Sequence, residues 1–190
     1  MQHTAYLDDQ VFTLSNVLSS EECAKLIAFS EGVGYGAAPI TTGFGFILNP
    51  ELRNNTRVML DYPKCAAWLW KRIRSQVPAE RDGWEAVGLN ERLRFYRYEE
   101  GQAFRWHHDG CYQRNEDERS FLTCMVYLND GFVGGETEFE PAPGIPESRF
   151  GVRPEAGSLL LFDHPLRHQG AELVAGTKYV LRTDVMYRRR

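Results

Sequence analysis

The chain has no apolar run approaching the roughly 20 residues that a bilayer-spanning helix needs. Its first residues show no charged segment leading into an apolar one, so neither a secretory leader nor a membrane anchor is expected. Cysteine is scarce. Cys23, Cys65, Cys111 and Cys124 are scattered, with no C-x-x-C pair, which argues against a disulfide framework and for a reduced, cytoplasmic protein. An excess of charge is missing too. The net charge is -4 over 190 residues, so no nucleic acid and no acidic membrane is expected as a partner. Arg188-Arg189-Arg190 is a local basic tail that reads as a solvated end. There is no internal repeat and no linker, so one domain over residues 1–190 is expected.

What the chain does have is aromatic side chains, at 13%, suited to strands and to a lined pocket. Val11 to Leu14 reads as a first strand. Ser19-Ser-Glu-Glu22 is a capping-box pattern that opens a helix over about 20–31, with Ala24, Leu26, Ile27 and Phe29 on a partly buried face. A glycine-rich stretch follows, in which 41–48 is a candidate strand and 49–57 is polar. Arg57 to Leu60 looks like a short strand. Asp61, with Pro63 just inside, predicts a second helix through about Ser75, its stripe formed by Ala66, Leu69, Trp70 and Ile73. Pro78 to Gly83 reads as a turn.

From there strands dominate, over about 91–98, 104–109, 120–129, 135–140, 158–163, 166–170 and 177–187. Helices first and strands after suggest a sandwich or barrel with the helices packed on one sheet. In 122–129, Leu122, Cys124, Val126 and Leu128 form a wholly apolar face, and Thr123, Met125, Tyr127 and Asn129 a polar-tipped one. Leu93 and Phe95 likewise oppose Arg94, Tyr96 and Tyr98, and Lys178, Val180, Arg182 and Asp184 share a face. Packing the apolar faces under the helices turns the other faces into an interior pocket.

The pocket has candidate chemistry. His107 and Asp109 lie two apart, and in an extended strand residues i and i+2 share a face. With a third ligand, for which His168 and His164 compete, they make the two-histidine, one-carboxylate set of non-haem Fe(II) sites. H-x-D alone also describes a hydrogen-bonded histidine beside a turn aspartate. His108 points away from its neighbours, and His3 lies in a terminus with nothing to anchor it. Lys178, ten residues after His168, is costly to bury without an anion.

Five stretches in order carry a resemblance. They are Tyr98 to Gly110, Leu122 to Asn129, Gly134 to Phe139, Gly157 to Phe162, and His168-Gln-Gly followed by Gly176 to Tyr187. Together they resemble the 2-oxoglutarate/Fe(II)-dependent oxygenases, in particular the prolyl 4-hydroxylase-like branch, over about residues 90–187. The resemblance implies a mainly β fold, a double-stranded β-helix (jelly-roll) with the N-terminal helices on its major sheet. Residues 1–89 would be helical support and substrate lid, and 90–187 the catalytic core.

The resemblance further implies His107, Asp109 and His168 as the catalytic metal triad, which leaves His164 without a role. Lys178 would bind the distal carboxylate of 2-oxoglutarate, with Tyr127 assisting there and Tyr98 near the co-substrate. Arg182, on the face of Lys178, either joins a bound anion or pairs with Asp184. The implied cofactors are Fe(II), 2-oxoglutarate and O2, with ascorbate as a supporting reductant. The implied reaction is hydroxylation of an aliphatic C–H, releasing succinate and CO2. The substrate would be a prolyl residue in a protein or peptide, or else a free amino acid or other small metabolite.

Two rivals differ in class: a non-catalytic sensor of metal or 2-oxoglutarate, and a zinc hydrolase using the same ligands. Cys111 lies close by and reads as a bystander. The 32–57 segment has the length of a lid, in which Arg53 and Arg57 are placed to grip a carboxylate or a peptide backbone. Trp106 and Tyr112 would wall in a prolyl ring or pack in the core.

Overall fold

The computed structural model describes residues 1–43 and 45–190. Phe44, inside the stretch expected to hold a strand, lies outside them. On either side of it Ile40–Thr42 pairs with Gly45–Ile47 as a hairpin.

The large sheet is antiparallel. Its spine runs His3–Leu7, Val11–Leu14, Leu159–Asp163, Glu118–Tyr127, Lys178–Arg189, Arg92–Tyr98, Thr56–Asp61 and Gly36–Ala37. The twelve-residue strand Lys178–Arg189 is its centre. One side pairs with Glu118–Tyr127. The other pairs first with Arg92–Tyr98 and then, farther along, with Trp84–Leu89. A four-stranded sheet, Phe104–His107, His168–Gly170, Thr137–Phe139 and Phe150–Val152 in that order, packs against it. This is the jelly-roll expected.

Period-two alternation sorts the side chains into two cores. Leu93, Phe95, Leu122, Cys124, Val126, Leu159, Leu161, Leu181 and Val185 pack beneath the helices, against Cys23, Cys65, Ala66, Leu69 and Ile73. Their strand neighbours Tyr96, Tyr98, Tyr127, Leu160, Phe162 and Val180 turn inward and meet Phe139, Val152 and Leu173 between the sheets. The second core surrounds the site, so the helices hold the scaffold and stay away from the chemistry.

The first helix, Ser20–Val33, has the capping box as read: Ser19 Oγ accepts from Glu22 N–H, and the Glu22 carboxylate accepts from Ser19 N–H. The second, Pro63–Ile73, differs at both ends. Asp61 does not cap it. Tyr62 holds that place with no side-chain bond, because Asp61 ends a strand and is taken by Arg92, its cross-strand partner. Pro63 still opens the helix, where its missing N–H costs nothing.

Three further expectations are corrected. His3 is anchored, since its strand pairs with Val11–Leu14 and its ring stacks on Phe12 at 4.7 Å. The turn read over Pro78 to Gly83 is narrower than expected, because Glu80–Arg81 already pairs with Trp84–Leu89 and the reversal falls at Asp82 and Gly83, both with positive φ. The strand through the first ligand ends at His107, so Asp109 sits in the loop beyond it. Residues 1–89 are also more than helical support, since they supply strands to both edges of the large sheet.

Gly157 shows how closely the chain packs. Its φ is +76°, and a Cβ there would lie 2.1 Å from the Leu18 carbonyl oxygen. Its own carbonyl accepts from Val17 and Leu18 N–H. Gly157→Ala is expected to cost more than about 2 kcal/mol, read as a drop in the urea midpoint with an unchanged slope.

Candidate active site

His107 closes a strand of the small sheet, and its cross-strand partner is His168. That pairing, 61 positions apart in sequence, brings the two imidazoles to 4.3 Å between centroids. Asp109 arrives from the loop, where its N–H donates to the His164 carbonyl at 3.2 Å. Donor atoms of His107, Asp109 and His168 all lie within 4.8 Å of one another. Among the described residues His164 is not in this cluster, and neither are His108 and Cys111.

Each imidazole is oriented by a backbone carbonyl two residues back. His107 Nδ1 is 2.7 Å from Arg105 O, and His168 Nδ1 is 2.9 Å from Leu166 O. A carbonyl only accepts, so the proton sits on Nδ1 and the Nε2 lone pairs face Asp109, at 3.9 Å from Oδ1 and 3.6 Å from Oδ2. Burial keeps both rings neutral: His107, with His168 beside it, is held down at about 3, and His168 is also lowered. Burial works the other way on Asp109, but Arg182 and the histidines outweigh it and hold the carboxyl well below its usual range. Two neutral imidazoles and one carboxylate form a donor set that fits a ferrous ion.

Asp109 is held from behind. Its Oδ2 accepts from Arg182 Nη2 at 3.0 Å and from Thr123 Oγ at 2.6 Å. Thr123 Oγ then accepts from His164 Nδ1–H at 3.0 Å, and His164 Nε2 accepts from Ser120 Oγ–H at 2.9 Å. His164, set aside in the sequence, thus supports a proposed ligand through one hydroxyl. The polar face of 122–129 gave Thr123 as a signal; nothing local gave its partner. Arg182 makes the expected pair with Asp184, at 3.1 Å, and a second one with Asp109 that was not foreseen.

A cleft runs inward from the triad, lined by Tyr98, Met125, Thr137, Val180 and Lys178 among others. Lys178 is 2% exposed. Its ammonium donates to the Gly135 carbonyl and lies 5.2 Å and 5.6 Å from the Tyr98 and Tyr127 ring centroids. Burial pulls it down to about 7, with Glu136 opposing. Tyr127 is displaced from its expected place: its hydroxyl is bonded to Thr137 Oγ at 2.7 Å, so it stands behind the cleft and Thr137 takes the lining position. The free volume is about 30 Å³, room for one water.

On the outer side of the triad lies a second, larger cavity of about 570 Å³, which includes Leu52, Arg53, Arg57, Phe104, His107, Asp109 and Tyr112 in its walls. At its C-terminal end the 32–57 segment is tied down here through Arg53 and Asn54. Asn54 Oδ1 accepts from Ala103 N–H at 2.7 Å, and Arg53 bridges to Phe104. Trp106 is not in this wall. It lies under Arg149 and Arg167, which both pair with Glu140.

Residues 93–183 match the family model of the 2OG-Fe(II) oxygenase superfamily. Among relatives, Probable prolyl 4-hydroxylase 11 of Arabidopsis thaliana is 31% identical over 149 residues, 76% of this chain and 49% of that protein. Prolyl 4-hydroxylase 1 of the same plant is 28% identical, covering 90% and 66%. The chain thus spans about half to two thirds of these relatives' length. A Pseudomonas putida prolyl-4-hydroxylase superposes with a TM-score of 0.65 at 19% identity, over 95% of this chain and 93% of that one. A Trichoplax adhaerens prolyl hydroxylase, solved with a hypoxia inducible factor peptide fragment, gives 0.69 at 16% identity over 94% and 84%.

Fold, triad and matched core together resemble the 2-oxoglutarate/Fe(II)-dependent oxygenases. The relatives that the chain is similar to are of the prolyl 4-hydroxylase kind.

Two outcomes follow from the electrostatics. Burial pushes Tyr96 up, but Arg182, Arg53 and Arg94 outweigh it and leave the phenol at about 8. In the metal-free protein, ultraviolet phenolate absorbance is expected to rise with a midpoint near that pH, and Arg53→Gln should move the midpoint upward. Lys178 lies below its unfolded value of 10.5, so it destabilises the fold below about pH 7, and the penalty fades as pH rises toward 10.5. By linkage it is worth about 5 kcal/mol at most. Lys178→Met removes that but strands the Gly135 carbonyl at about 1–3 kcal/mol. A net gain of about 1–3 kcal/mol is expected at neutral pH, shrinking by pH 10, as read from urea midpoints without co-substrate.

Proposed function

We propose that this chain is a 2-oxoglutarate- and Fe(II)-dependent dioxygenase, folded as one domain over 1–190, that hydroxylates an aliphatic C–H of a prolyl residue. The observation that carries this is the meeting of His107, Asp109 and His168 at the mouth of a cleft ending in Lys178. When bound, iron and 2-oxoglutarate supply the oxidising power, with O2 consumed and succinate and CO2 released as C–H becomes C–OH. Prolyl as the target is supported by the names of the relatives.

The chain's own residues do the positioning. His107 and His168 present Nε2, and the carbonyls of Arg105 and Leu166 keep them in that tautomer. Asp109 offers Oδ1 while Arg182 and Thr123 retain Oδ2. Lys178 exchanges Gly135 for the distal carboxylate of the co-substrate, and Tyr98 and Thr137 line its path. Lys178 also argues for this reading over a zinc hydrolase, which has no use for a buried ammonium there.

The first test is anaerobic addition of Fe(II) and 2-oxoglutarate to metal-free protein, watching for the visible metal-to-ligand charge-transfer band, then succinate once air is admitted. Wild type should give both. His168→Ala should give no band, and Lys178→Ala should need about 10–100 times more 2-oxoglutarate, the loss of one charged hydrogen bond. Because Lys178 binds the carboxylate only when protonated, half-saturation should rise above about pH 7, by up to about tenfold per unit. Tight zinc with neither band nor succinate would exclude the oxygenase reading.

A further inference from the structure

Four arginines line the larger cavity, and Asp109 is the one carboxylate among the residues named for its walls. Two of the four are already balanced. Arg182 is paired with Asp109 and Asp184, and Arg94 with Asp184 at 3.2 Å. Those two acids and two bases sum to zero, which leaves Arg53 and Arg57. Neither makes an ion pair among the described residues.

Arg53 is built in. It is 6% exposed, its guanidinium sits 4.5 Å and 4.3 Å from the Tyr96 and Phe104 ring centroids, and its Nε donates to Asn55 Oδ1 at 2.8 Å. Phe104 in turn stacks on His107 at 3.5 Å. With its faces covered, the guanidinium can act only through its edge, the direction in which it recognises a carboxylate. Its Nη2 is buried without any hydrogen-bond partner, a state that costs about 1–3 kcal/mol unless an acceptor arrives. Arg57 is half-buried on the same wall, and burial together with Arg53, Arg94 and Arg182 weakens its hold on its proton. A cavity of this size suits a small ligand, and an anion would relieve both arginines.

We propose that the larger cavity takes a substrate bearing a carboxylate, gripped by Arg53 and Arg57, so that the carbon to be hydroxylated lies against His107 and Asp109. This deepens the oxygenase reading and rests on it. The carboxylate is either the α-carboxylate of a free amino acid or the side chain of an acidic residue beside the target in a peptide.

The test uses protein loaded anaerobically with Fe(II) and 2-oxoglutarate, titrated with acid and amide pairs, with the perturbation of the charge-transfer band as readout. One pair is L-proline and L-prolinamide. The other is an end-capped prolyl peptide with Glu, or with Gln, next to proline. In at least one pair the acid should bind about tenfold or more tightly than its amide. Arg57→Gln should erase that preference and Arg57→Lys restore part of it, while half-saturation by 2-oxoglutarate matches wild type in both variants. A preference in the first pair assigns the α-carboxylate, and one in the second assigns the acidic side chain. Equal binding of acid and amide in both pairs overturns the inference with the oxygenase reading intact. Failure of the band to form in wild type sinks that reading, and the inference with it.

Discussion

Lys178 is the charge to which the interior answers. It sits in a cleft closed by tyrosine rings, holding one backbone carbonyl, with no ion pair among the described residues. An ammonium in such a place is half-neutral at physiological pH and weakens the fold that contains it. The antiparallel scaffold tolerates this because its other face carries an extensive apolar core packed beneath two helices. Stability is generated on one side of the large sheet and given up on the other, and strand alternation separates the two within a single chain segment.

The interior thereby divides into compartments of different sign. Around the triad, Asp109 and Asp184 balance Arg94 and Arg182. Inward of it one cation remains, and outward two. The triad stands between them with neutral imidazoles, so its single carboxylate is set against a metal while the flanking cations are left for other anions. This is a division of charge by direction, achieved with residues from five strands and two loops.

Much of this could be read beforehand. The faces of 93–98, 122–129 and 178–184 follow from period two and need no tertiary knowledge, and they correctly put Tyr96, Tyr98, Thr123, Lys178 and Arg182 on the pocket side. The motif order along 90–187 marked out the core that the family model matches. What stayed hidden were partnerships between segments far apart. Asp61 looked like a helix cap because its competitor, Arg92, lies across a strand pair. Tyr127 looked available because Thr137 is ten residues away on the other sheet. His164 had no role until Thr123 and Ser120 were placed around it, and Trp106 lost its expected one when Arg149 and Arg167 covered its ring. Local pattern reports which way a side chain points; it does not report who is already there.

The Arg182 fork also bears on how such a chain can change over generations. Asp109 cannot be surrendered alone. A neutral residue there would leave Arg182 with surplus charge in a dry interior and Thr123 without its acceptor, at a cost of about 3–5 kcal/mol, a large share of what a domain of this size has to spare. A duplicate copy drifting toward a fold without chemistry would have to alter position 182 first or at the same time. Folding thus polices the metal ligand independently of whether the reaction is still needed, and loss of activity through this position requires a double step.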